Sequence, residues 1–483
     1  MMNYKNFLTL FIIALGGFHL AACSTNPATG RTQFAALMSP QQEQQVGAEE
    51  HPNIIREFGE YNNPKIVSYV REVGAKVTRN TERSDVDYKF YVLDSPIVNA
   101  FALPGGYIYI TRGLLSLAEN EAQLAAVLGH EAGHITGRHS AERYSRGVVT
   151  SLGSNILAAA IDKTGVSQAL GIGSQLYLSS YSRSQENEAD TLGLRYLMNS
   201  GYDVNAMSAF LQNLQNHSAL EAQLEGRRDG GISYFSTHPA TGDRVASTTA
   251  QVAQAEGGIQ NADKYLRMID GMTYGDSDKH GFVRGQSFIH PAIGFKFTAP
   301  QGFQIKNQPA QVVMTSQQGA LAIFDMAANP SGQDAMSYLR QSWLKGENVG
   351  DAESITVNGM RAATASFQGT INNRAMTIRL VAIEFAPNSF ARFQIGIPNN
   401  ISGEMLNAIK GLTYSFERLS GSEKNAYKPY RLDIVTAGPN DSAASLAARF
   451  PYDKYKEERF RVLNGLGPSE NIRAGEMYKI VVQ

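Results

Sequence analysis

The stretch Gly129-His130-Glu131-Ala132-Gly133-His134 decides how this chain is read. On a helix, residues four apart share one face, so His130 and His134 can hold a single cation together. Glu131 falls on the neighbouring flank, placed to take a proton from a water on that cation. The order His-Glu-x-x-His is thus a zinc site that brings its own general base. The preceding residues support a helix. Asn120, with Gln123 three positions on, resembles a capping box. Leu124, Val127, Leu128 and Ile135 then recur at helical spacing, which predicts a helix over residues 120–139.

Two histidines do not complete a catalytic zinc site, which takes a third protein ligand and leaves a position open for water. The pattern H-E-x-x-H-x-x-G-x-x-H would supply a third His nearby. Gly137 fits it, but Ser140 stands where that His is required, and His139 is one residue early. A downstream helical segment, Glu186-Asn187-Glu188-Ala189-Asp190 followed by Leu192, Leu194 and Leu197, offers a carboxylate instead. Glu186 and Asp190 are four apart and share a face. Glu186 can ligate zinc while Asp190 accepts the free ring N–H of a ligating His. Glu188 falls on another face.

At this point the chain resembles the HtpX and CAAX prenyl protease group of zinc metallopeptidases. The resemblance rests on GHEAGHITGRHS (129–140), SRSQENEAD (182–190), STHPATGDRV (236–245) and NAFALPGGYIYITRGLL (99–115). It covers roughly residues 24–270 and implies that Glu186 is the third ligand to one zinc ion per chain. The size and the start of the chain look most like the BepA-type branch, at the bacterial outer membrane. In similar proteins the His-Pro-x-x-x-x-Arg element lies near the active site. His238 there would stabilise an oxyanion, or approach the metal and block the open position; Arg244 would neutralise a carboxylate. The plainer reading is a His-Pro turn that starts a helix. Residues Asn99 to Ile110 read as one apolar strand bent at Pro104-Gly105-Gly106. In related zinc proteases an edge strand there binds substrate as an added strand, which makes Asn99, Ala100 and Phe101 candidate substrate contacts. An ordinary buried strand is the alternative.

The N-terminus has Lys5, an apolar run from Phe7 to Ala22, and then Leu20-Ala21-Ala22-Cys23. This is a signal-peptide pattern ending in what looks like a lipobox. Residues 1–22 would be removed and Cys23 lipidated, anchoring the chain to a membrane by lipid alone. Ser24 after the lipidated position suggests the outer membrane, facing the periplasm. Cys23 is the sole cysteine, so no internal disulfide can form. With 43 Lys and Arg against 44 Asp and Glu, the net charge of −1 gives no electrostatic case for nucleic acid. Between the metal-binding segments, residues 147–178 are rich in Gly, Ala, Ser and Leu, broken by Asp162 and Lys163. They read as an active-site lid, a partner surface or a packed helical pair.

At 483 residues, several domains are expected. The fold class is α+β and multidomain. A mainly helical zincin-type metallopeptidase domain with a small edge-strand sheet spans residues 23–273, followed by a polar linker, GDSDKHGFVRGQS. Residues 285–418 alternate short strand runs, among them Phe295–Thr298, Ala320–Asp325, Thr377–Glu384 and Phe390–Ile397, with helices at Met336–Leu344 and Met405–Leu412, an α+β domain with a faint PsbP likeness. Residues 427–483 read as strand, helix, Asn-Gly turn, helix and strand. That order resembles a LysM module, a βααβ unit that binds peptidoglycan, although Pro439-Asn440 departs from its usual opening.

Together these readings give a lipid-anchored periplasmic zinc metalloendopeptidase. By the resemblance, its substrates are misfolded or stalled envelope proteins. The rival readings are an envelope chaperone or scaffold that binds protein and wall polymer with little cleavage, and a peptidoglycan hydrolase.

Overall fold

The computed structural model describes residues 24–26, 28–35, 37–153, 180–225, 234–239, 242–253, 257–308, 310–345, 351–371 and 374–483. Cys23 and most of 147–178 lie outside them. The chain forms two compact units, residues 1–274 with 431–482, and residues 275–430.

The first unit opens with a small antiparallel pair, β1 (Ser24–Thr25) and β2 (Thr32–Gln33). Helices α1 (Pro40–Phe58) and α2 (Pro64–Thr78) follow, capped by Ser39 and Asn63. A three-stranded sheet comes next: β3 (Lys89–Leu93) pairs parallel with β5 (Tyr107–Thr111), and β4 (Ala100–Leu103) pairs antiparallel with β5. The single bent strand expected over 99–110 is therefore a hairpin. Gly105 and Gly106 take φ of 79° and 101°, a region open to glycine and strained for other residues, which lets the chain reverse fully. Strand β4 lies at one edge of the sheet, as the substrate reading requires.

Short α3 (Arg112–Leu117) leads into α4 (Glu121–Thr136), the helix with the two histidines. Its cap is half of the expected box. Asn120 accepts the Gln123 N–H, but the Gln123 side chain turns back to Glu119 N rather than to the cap. The helix also ends three residues early. Arg138 has φ 53°, and this left-handed turn breaks the run before α5 (His139–Gly153) starts. After the undescribed stretch come α6 (Arg183–Asn199), with a complete Ser182–Gln185 capping box, then α7 (Asn205–Glu225), α8 (Tyr234–Thr237), α9 (Gly242–Val252) and α10 (Ala262–Ile269).

Helices α4 and α6 meet at glycines. A Cβ on Gly133 would stand 2.8 Å from Ala189 O, and one on Gly193 would stand 3.1 Å from His130 N. Small residues at both crossings let the backbones approach closely enough for short carboxylates to reach the histidines.

Residues 431–482, read from sequence as a module of their own, belong to this same compact unit. Strands β7 (Tyr430–Thr436) and β8 (Met477–Val482) pair antiparallel, and β6 (Thr273–Tyr274) extends their sheet on the β7 side. Two helices, Ala443–Ala447 and Lys456–Leu463, lie between them in sequence. The Asn464-Gly465 pair follows both helices rather than separating them. The Asn464 side chain donates to Phe460 O and Lys479 O and accepts Lys479 N–H, sealing the second helix end against the last strand. From that strand, buried Lys479 donates to the carbonyls of Ser116, Leu117 and Ala118 at the end of α3.

The second unit carries a seven-stranded antiparallel sheet and a four-stranded one. Phe295, Phe297, Phe324, Phe393 and Phe416 centre its core. Strands occupy Phe295–Thr298, Leu321–Ala328, Arg374–Ala386 and Ser389–Pro398, on the four expected runs. The helix expected at Met336–Leu344 is instead a short α-turn, Ala335–Ser337, running into a wider π-helical turn, Tyr338–Trp343. The polar stretch read as a linker contains strand Phe282–Arg284, because Phe282 is buried.

Candidate metal centre

Four side chains from three places in the chain converge. His130 and His134 come from α4, Glu186 from the first turn of α6, and His238 follows α8; all are buried. His134 Nε2 lies 3.1 Å from His130 Nε2 and 3.4 Å from Glu186 Oε1. His238 Nδ1 lies 3.3 Å from His130 Nε2 and 3.1 Å from Glu186 Oε1. His130 Nε2 is 3.6 Å from Glu186 Oε2. Zinc bonds of about 2.0–2.2 Å in a tetrahedron set ligand-to-ligand separations of about 3.3–3.6 Å. The donor set, with three imidazoles and one carboxylate, fits zinc in both chemistry and spacing.

Electrostatics follow from burial and neighbours. Burial pushes His134 well below its ordinary value, giving the neutral imidazole a metal needs. Burial works against charge on Glu186, but the facing histidines, His238 first, outweigh it and hold the carboxyl well below its usual range. Glu131 is different. It is fully buried, neither oxygen has a hydrogen-bond partner, and burial raises its pKa. His238 Nε2 lies 3.4 Å from Glu131 Oε1.

Asp190 and Arg244 stand behind this set. Asp190 Oδ1 is 2.9 Å from His130 Nδ1. Arg244 donates two hydrogen bonds to Asp190, at 2.8 and 2.7 Å, and its Nη1 lies 2.7 Å from Glu186 Oε2. The guanidinium is itself buried, so it compensates two acids out of reach of water.

The substrate candidates divide. Asn99 Oδ1 accepts the Thr237 hydroxyl at 3.3 Å, one residue from His238. Ala100 is buried. Phe101 packs in a core cluster, stacked on Tyr109 with ring centroids 5.0 Å apart. Any substrate contact along β4 is thus left to main chain.

Sequence reasoning missed three features. Tyr181 stacks on His134 at 3.7 Å and Tyr234 on His238 at 4.5 Å. Tyr234 was legible only as the residue four before His238, whose N–H donates to its carbonyl. The third feature is His139, set aside as one residue early for a ligand. Its Nδ1 lies 2.8 Å from His134 Nδ1, on the side away from the metal position.

Residues 64–252 match peptidase family M48. The matched region contains all four converging side chains, His130, His134, Glu186 and His238. Mitochondrial metalloendopeptidase OMA1 from Schizosaccharomyces pombe is 27% identical over 267 residues, 54% of this chain and 77% of that protein. The beta-barrel assembly-enhancing protease of Escherichia coli is 29% identical over 202 residues, 40% of each chain. The family match and these relatives together support a zinc metalloendopeptidase. Among solved structures, cyanobacterial PsbP from Synechocystis is 13% identical, covering 29% of this chain and 98% of that chain at a TM-score of 0.22. Among the described residues, no helix is long and apolar enough to cross a membrane.

Proposed function

We propose that this protein is a lipid-anchored metalloendopeptidase of the bacterial outer membrane, facing the periplasm, which cleaves misfolded or stalled envelope proteins. His130, His134 and Glu186 would hold the zinc. When bound, that zinc polarises a scissile carbonyl and lowers the pKa of a coordinated water. Glu131 takes the water proton and returns it to the leaving amine, a task suited to a carboxylate whose basicity burial has raised. Asp190 orients His130 through its ring N–H, and Arg244 keeps Asp190 and Glu186 ionised together. The edge of β4 offers main-chain groups to an extended substrate, which suits unfolded chains of unrelated sequence.

The observation that carries this reading is the fully buried Glu131 carboxylate, which has no hydrogen-bond partner among the described residues and has the His238 ring, at 3.4 Å, as a charge neighbour. A purely structural metal site has no use for such a group, and burying it without a hydrogen bond costs stability. His238 favours a second reading. It occupies the fourth corner of the donor set, so the protein at rest would hold substrates without cutting, as the scaffold reading has it. Digestion of an unfolded protein with zinc, with chelator, and with Glu131→Gln separates the two. Cleavage insensitive to both treatments removes the enzyme reading.

A further inference from the structure

Each histidine of α4 is backed by its own carboxylate. His130 has Asp190 with Arg244. His134 uses a longer arm. Its Nε2 faces the donor cluster, so Nδ1 carries the proton and donates to His139 Nδ1 at 2.8 Å. His139 must then carry its own proton on Nε2, which lies 3.2 Å from Glu188 Oε2. Glu188 accepts the Thr29 hydroxyl at 2.6 Å, and its Oε2 lies 2.8 Å from Arg31 Nε. Arg31 also donates to Glu142 at 2.9 Å, and Glu142 accepts Gln185, the neighbour of Glu186.

The packing is built for this arm. His139 is fully buried, and its ring lies so close to Gly137 that a Cβ there would stand 2.4 Å from Nε2. The left-handed Arg138 turn is what folds His139 back beneath His134. The β1–β2 hairpin supplies Thr29 and Arg31, and its Asn26 donates to Thr136 O at the end of α4.

We infer that His139, Glu188 and Arg31 are positioning residues for the zinc ligand His134, and that the N-terminal hairpin of residues 24–33 is a working part of the metal centre. The inference rests on the zinc reading above. It gives the segment directly after Cys23 a task beyond linking protein to lipid: it braces a metal ligand from outside.

The test is metal affinity of the full chain, read by cobalt absorbance and by zinc competition against a chromophoric chelator. Glu188→Gln is nearly isosteric, and Arg31→Met keeps the stem of the side chain, so both should fold; far-ultraviolet circular dichroism checks this. Each is expected to weaken zinc binding about 10- to 100-fold and to shift the cobalt d–d bands. Arg31→Lys should restore part of the loss, and Glu49→Gln, at an exposed position of α1, should change nothing. Affinities within twofold of the unaltered chain, with unshifted bands, overturn the inference and leave the zinc reading standing. An unaltered chain that binds neither metal overturns both.

Discussion

Oε1 of Glu131 lies 3.4 Å from Nε2 of His238, and Nδ1 of that same ring lies 3.1 Å from Glu186. One imidazole thus touches both the proposed base and the carboxylate ligand. Its departure would free a coordination position and the base in one movement. His238→Ala is therefore expected to keep zinc stoichiometry and to raise basal cleavage of unfolded protein several-fold. A loss of cleavage with metal retained would instead assign His238 to oxyanion stabilisation.

Glu131→Gln preserves shape and removes only basicity. It should bind zinc like the unaltered chain while kcat falls by about 10²–10⁴-fold. Metal analysis beside single-turnover peptide cleavage checks this, and full activity in this variant would rule out the assigned base.

Arg244→Met leaves Asp190 and Glu186 buried without their shared cation. Breaking such a pair costs about 3–5 kcal/mol. Thermal melting of the metal-free protein should show a clear drop. A shift in Tm of less than a degree would mean that the acids are compensated elsewhere.

His290, in the second unit, should make stability depend on pH. Burial lowers its pKa to about 4, and its Nδ1 accepts the Ile293 N–H, which needs a neutral ring. Since the unfolded chain titrates near 6.5, it binds more protons than the folded one between about 6.5 and 4. Stability is therefore fully present above that window and falls, by on the order of 2–3 kcal/mol, as pH drops through it. Denaturant melts at pH 7 and pH 4.5, followed by hydrogen exchange across residues 275–430, should show the loss. His290→Phe should flatten it; an equal slope in that variant would place the effect on other groups.

Two shared faces were legible because helical geometry puts residues four apart on one side: His130 with His134, and Glu186 with Asp190. The choice of Glu186 as a proposed ligand came from the family resemblance. His139 and Glu188 were not legible as a pair, since their meeting depends on the left-handed turn at Arg138, which no periodicity announces. The four strand runs of the second unit followed from apolar patterning. The π-helical turn at Tyr338–Trp343 did not, because its apolar spacing is shared with an ordinary helix. The position of Asn464-Gly465 was misjudged for a similar reason: a turn dipeptide marks a reversal without saying which elements it joins.

Lys479 and strand β7 come late in the chain, yet the one caps carbonyls just ahead of helix α4 and the other flanks Thr273–Tyr274. Synthesis therefore delivers the histidines long before the residues that seal the corner next to them. A nascent polypeptide lacks two of the three strands of that sheet, so this corner of the fold closes last.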